Sequence, residues 1–89
     1  MMRSEVLETA ARYVTADRQA THGRPEDTFR AIAMLWEAYL GVSVTESDVC
    51  NLMVLLKVAR SQQNPAHMDN FVDMAGYAAC GAELAKEER

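Results

Sequence analysis

Apolar residues recur at helical spacing in four segments, and short polar breaks separate them. The first segment predicts a helix over about residues 4–20. Ser4 serves as its N-cap, Glu5 sits in the first turn, and Val6, Leu7, Ala10, Ala11, Tyr13 and Val14 form its stripe. Gly23 terminates this segment, and Arg24-Pro25 restarts the chain with Glu26 and Asp27 in a new first turn. The second helix, about 25–40, buries Phe29, Ile32, Ala33, Trp36, Tyr39 and Leu40 and ends at Gly41. Val42-Ser43-Val44 is a linker. Thr45 caps a third helix, about 46–62, with Asp48 completing a capping box.

The third helix is apolar almost all round, with Val49, Leu52, Met53, Val54, Leu55, Leu56, Val58 and Ala59. This pattern marks a central helix. A fourth, about 68–86, carries Met68, Phe71, Val72, Ala75, Ala79 and Ala82 as its stripe, and its run of small residues around Gly76 and Gly81 allows a neighbour to approach closely. Asn64-Pro65 breaks the chain between the last two helices and makes them an antiparallel hairpin. The expected fold is therefore one all-α domain over 1–89, a four-helix bundle built on the helix 3–helix 4 hairpin.

Length and charge narrow the possibilities. Eighty-nine residues lie near the small end of what a single core can hold, so four thin helices leave apolar surface uncovered and a homo-oligomer is expected. The net charge of −4 argues against direct nucleic-acid binding, which needs clustered basic residues. No run of about 18 apolar residues marks a membrane span, and no charged-then-apolar leader is present. Cys50 and Cys80 are too few for a disulfide scaffold, so a reduced, cytoplasmic setting is expected.

Candidate chemistry gathers at the hairpin. Residues equidistant from Pro65 should face each other: Lys57 with Asp73, Arg60 with Asn70, Ser61 with Asp69, and Cys50 with Cys80. Lys57 and Arg60 share one helix face, and Asp69, Asp73 and Tyr77 share another. Two readings follow. In the structural one, the charges answer the helix dipoles and set the register. In the functional one, Lys57 and Arg60 hold an anion while Asp69 and Asp73 bind Mg²⁺ through oxygen ligands. Asp17, Arg18 and His22 form a second polar cluster before Gly23, either a phosphate-holding turn or a solvated helix end. Neither zinc-ligand spacing nor a GxSxG elbow occurs.

The motifs Asp17-Arg18-x-x-x-His22-Gly23, Leu56-Lys57-x-Ala59-Arg60 and Asp69-x-x-x-Asp73-x-x-Gly76-Tyr77 follow one another in this order. In this the chain resembles a family of small all-α proteins and domains of unknown function encoded by tailed phages and prophages, and the likeness covers about residues 16–84. More distantly it resembles the all-α nucleoside triphosphate pyrophosphatases of the MazG type, whose acidic helix motifs hold Mg²⁺ against a triphosphate. It departs from them in offering only Glu37 after Asp27 on its second helix, and Asp69 and Asp73 spaced by four rather than three.

Two functions are thereby implied. One is nucleotide binding, with Mg²⁺ as the candidate cofactor and hydrolysis an open question. Arg18, His22, Lys57 and Arg60 would then contact phosphate, Asp69 and Asp73 the metal, and Tyr77 the base. The other is a noncatalytic helical module for self-association or protein interaction, supported by six methionines and the small residues of helix 4.

Overall fold

The structure is a computed structural model that describes residues 1–17 and 24–87. All regular structure among these residues is helical: α1 (Arg3–Arg12) continuing into a π-helical turn (Tyr13–Asp17), α2 (Pro25–Leu40), α3 (Glu46–Gln63) and α4 (Asp69–Glu87). The helices expected from apolar spacing are all present, and three begin and end within a residue of the expected bounds.

Local chemistry accounts for those bounds. Thr45 Oγ1 accepts from the Asp48 N–H at 3.1 Å and Asp48 Oδ2 accepts from the Thr45 N–H at 2.9 Å, the reciprocal box that starts α3. Pro25 opens α2, and Gly41 closes it in the left-handed conformation at φ 74°, a backbone state that side chains disfavour. Val42-Ser43-Val44 is a linker, tied back where the Val44 N–H donates to Glu37 Oε1 at 3.0 Å.

The first helix departs from expectation. Ser4 lies inside α1 rather than capping it, and the Glu5 carboxylate instead accepts from the Met2 N–H at 3.1 Å. The α-helix stops at Arg12, and the following turn is π-helical. Thr15 Oγ1 donates to the Ala11 carbonyl at 2.7 Å there, a back-bond of the kind that disturbs a helical ladder. Of the expected stripe, Ala10 is buried, Val6, Tyr13 and Val14 are half-buried, and Leu7 and Ala11 face outward.

α3 and α4 form the most extensive helix pair; α1 packs on α4 and α2 on α3. Phe29, Ala33, Val49, Cys50 and Leu84 form the buried core, with Ile32, Trp36, Met53, Tyr77 and Cys80 packed against it. The glycines of α4 mark close approaches, as the run of small residues requires. A Cβ on Gly81 would stand 3.0 Å from Cys50 Cβ, and one on Gly76 would stand 3.1 Å from Val14 Cγ1.

Several expected core positions are not in the core. Tyr39 is 90% exposed, and Leu40, Phe71, Ala79 and Ala82 also face outward. On α3, Leu52, Leu55, Leu56 and Val58 are exposed, so this helix is central on one side only. The cause is geometric: a single chain of four thin helices covers one face of α3, and the opposite face meets no other described element. The radius of gyration, 13.5 Å, correspondingly exceeds the roughly 12 Å of a compact chain of this length.

Candidate functional site

The hairpin register is the one that symmetry about Pro65 requires. Lys57 Nζ lies 2.9 Å from Asp73 Oδ2, with the two side chains 19% and 31% exposed. Each residue lies beyond the terminal turn of its helix, so neither is placed there by a helix dipole, which acts within the first or last turn. Cys50 is buried against the Gly81 backbone, and Cys80 packs at the edge of the same core cluster; neither is in a disulfide. Cys50 thus faces Gly81, the residue after Cys80, across the seam.

The Lys57–Asp73 pair is the shared wall of two adjoining cavities. On one side is a cavity of about 240 Å³ lined largely by apolar and aromatic residues, Tyr13, Val14, Pro25, Phe29, Val72 and Tyr77 among them. Tyr77 and Phe29 pack with ring centroids 6.0 Å apart at an interplanar angle of 56°, a tilted aromatic contact that fixes the Tyr77 ring at the cavity wall. Tyr13 and Val14 reach this wall beside Ala10, three and four residues before them on the same helix face. Beyond the pair is a polar cavity of about 390 Å³, lined by Arg60, Gln63, Asn64, His67, Asp69 and Asn70 as well as Lys57 and Asp73. Asn70 is the one polar residue in the buried set of the described chain.

Of the residues singled out from the sequence, Lys57, Arg60, Asp69 and Asp73 meet at the polar cavity, and Tyr77 stands at the aromatic-walled one. Arg18 and His22 lie outside the described residues. Asn70, expected opposite Arg60, lines the same polar cavity, whereas Tyr13, Phe29 and His67 were not expected here. His67 lies two residues before Asp69, just after the chain break, where a signal was available; Tyr13 and Phe29 come from other helices, and no spacing rule links them to the hairpin. Among the described residues no three His, Cys, Asp or Glu side chains converge as a metal set.

Charge at the start of α2 is separately organised. Arg24 Nε lies 2.7 Å from Glu26 Oε1 and 3.9 Å from Asp27 Oδ2. The hydrogen bond to Glu26 and the charges of both acids hold the Arg24 guanidinium above its ordinary pKa. Glu26 is held below the ordinary carboxylate range, first by its own backbone N–H at the helix start and then by Arg24.

Fold and site together define a small all-α domain organised on a helical hairpin, with a half-buried ion pair between two cavities. The chain belongs to the family described as a domain of unknown function, DUF6378, whose model matches residues 5–85. It is 40% identical over 86 residues to the Gene 55 protein of Mycobacterium phage D29, covering 97% of this chain and 57% of that protein. It is 39% identical over 87 residues to the Gene 55 protein of Mycobacterium phage L5, covering 94% of this chain and 56% of that one. The chain thus spans just over half the length of these relatives. No solved structure matches it. The phage-family resemblance is upheld by these matches; the MazG-type resemblance receives no support from them. No described helix is long and apolar enough to cross a membrane.

Proposed function

We propose that this domain binds a nucleotide across the Lys57–Asp73 pair, with the base in the aromatic-walled cavity and the phosphates in the polar one. The observation that carries this reading is the adjacency of the two cavities at one ion pair. An aromatic-lined cavity joined to one bearing Lys57, Arg60 and His67 matches a ligand with an aromatic end and an anionic end. Arg60 can fork two hydrogen bonds to a phosphate, and Lys57 can supply a point charge beside it. Tyr77, with its ring against Phe29, offers the base a stacking edge or a hydroxyl partner.

Mg²⁺ fits this reading as a companion of the phosphates. It commonly takes one or two protein carboxylates together with substrate phosphates and waters, so Asp69 and Asp73 suffice without a third ligand. The metal would neutralise phosphate charge. Asp73 would then be shared between Lys57 and the ion, and Arg18 and His22 would extend the phosphate contacts. The domain would act in the bacterial host cytoplasm as a binder; hydrolysis of the phosphate chain is a stronger form of the same reading.

Thermal unfolding with ribo- and deoxyribonucleoside mono-, di- and triphosphates, with and without Mg²⁺, tests it. A ligand at 100 times its Kd adds about 2.7 kcal/mol, which raises Tm by roughly 10 °C or more in a domain this small. The shift should disappear in Arg60→Ala, an exposed site whose loss leaves the fold intact. A Tm unmoved by every nucleotide overturns the proposal. Pyrophosphate release from a bound triphosphate separates hydrolysis from binding.

A further inference from the structure

Asn70, in the first turn of α4, is only 4% exposed, and among the described residues its carboxamide has no hydrogen-bond partner. No side-chain polar atom of the described residues is both sealed from the surface and unpaired. The small accessible area of Asn70 therefore includes its carboxamide, and it opens onto the polar cavity that Asn70 lines. An amide buried on these terms costs the fold stability, and a leucine of similar volume would avoid that cost. The arrangement suits an amide whose partner comes from outside the chain.

The position of Asn70 indicates what that partner is. Asn70, Asp73 and Tyr77 are spaced by three and four and run along one face of α4. Tyr77 lines the aromatic-walled cavity, Asp73 lines both, and Asn70 lines the polar one. Seven residues of helix put Asn70 about 10 Å from Tyr77 along the axis, too far to touch a base held there. The polar cavity has an exposed rim, which carries Arg60, His67 and Asp69. Its buried part holds Asn70 and the Lys57–Asp73 pair, whose charges answer each other at 2.9 Å. With the one cation there already paired, a phosphate is better held towards the rim and an uncharged polar group lower down. Between the base and the phosphates of a nucleotide, that group is the pentose. A hydroxyl both donates and accepts, as a carboxamide does.

We propose that Asn70 binds a pentose hydroxyl of the nucleotide and is the specificity-determining residue of the polar cavity. This inference rests on the nucleotide reading and adds to it the part of the ligand that the cavity selects.

Calorimetric titration of the full chain tests it, using the ribo-, 2′-deoxy- and 2′,3′-dideoxy- forms of adenosine, guanosine, cytidine and uridine triphosphates with Mg²⁺. In wild type, removing the recognised hydroxyl should weaken binding on the order of 10-fold or more, because Asn70 is again left unpaired. Asn70→Leu should bind the forms with and without that hydroxyl alike. Asn70→Ala, which removes the amide without adding a branched side chain, should lose the discrimination in the same way. Without ligand, the urea midpoint of Asn70→Leu should equal or exceed that of wild type, since no hydrogen bond to a described residue is lost. Four results would each overturn the proposal and leave the nucleotide reading standing. They are wild-type binding that ignores the pentose hydroxyls, discrimination that survives in both variants, an equal loss of affinity for every form in both variants, and a lower urea midpoint in Asn70→Leu. Binding of none of these nucleotides to wild type would overturn both.

Discussion

Lys57 and Asp73 meet at 2.9 Å on facing helices, half-buried, and both line two adjoining cavities, one with aromatic walls and one polar. Because the pair is only partly solvated, removing one member leaves a charge in an environment that disfavours it. This separates it from the surface pairs of α2, such as Arg30 with Glu46 at 3.2 Å, where the Arg30 side chain is 63% exposed.

Asp73→Ala should therefore cost about 1–3 kcal/mol, by stranding the Lys57 ammonium. Asp27→Ala should cost less than about 1 kcal/mol, since Asp27 is an exposed first-turn acid 3.9 Å from Arg24. Urea unfolding of the two variants makes the comparison. Equal losses would show that the seam pair is as weak as a surface one.

The two close glycines of α4 should respond differently to alanine. At Gly81 the added methyl would stand 3.0 Å from Cys50 Cβ, an atom fixed to the α3 backbone, so the helices must separate. Overpacking of this kind costs about 1–3 kcal/mol, which outweighs a helix-propensity gain of about 1 kcal/mol. At Gly76 the neighbour is Val14 Cγ1 at 3.1 Å, the end of a side chain that can turn. Gly81→Ala should be net destabilising and Gly76→Ala close to neutral in the same unfolding assay. The reverse order would mean that the π-helical turn is the more rigid of the two contacts.

Glu26 should confer a small acid-sensitive stability. Its pKa in the folded chain is depressed, by its own backbone N–H and then by Arg24. The stabilisation is therefore present above the unfolded-state value of about 4.3 and is lost as pH falls through the lower folded value. Glu26→Gln should be less stable than wild type at pH 7 by less than about 1 kcal/mol, and the gap should close below about pH 4. Thermal melts across this range measure it; a gap that stays constant down to about pH 3 would locate the effect in packing rather than charge.

Local chemistry was legible in advance. The Thr45–Asp48 box, Pro25, Gly41 and the Asn64-Pro65 break act through residues within a few positions of one another, and each marked its helix end. The α1 boundary was not, because a π-helical turn arises from ladder geometry that no periodicity records. The hairpin register was also readable: one short break makes facing positions a matter of counting, and Lys57 found Asp73.

Tertiary structure alone decided which apolar residues are core. Apolar spacing says that a face avoids water but not what covers it, so Tyr39, Leu52 and Leu55 read like Phe29 and Val49 until neighbours are placed. The same limit hid half of the candidate site. Lys57, Arg60, Asp69, Asp73 and Tyr77 lie on two helices whose relation is local, whereas Tyr13 and Phe29 reach the cavity through packing of α1 and α2. Sequence determined the elements and the hairpin, since short-range forces set both. Where the hairpin's outer surfaces meet other helices depends on contacts between distant segments, which only the folded chain brings together.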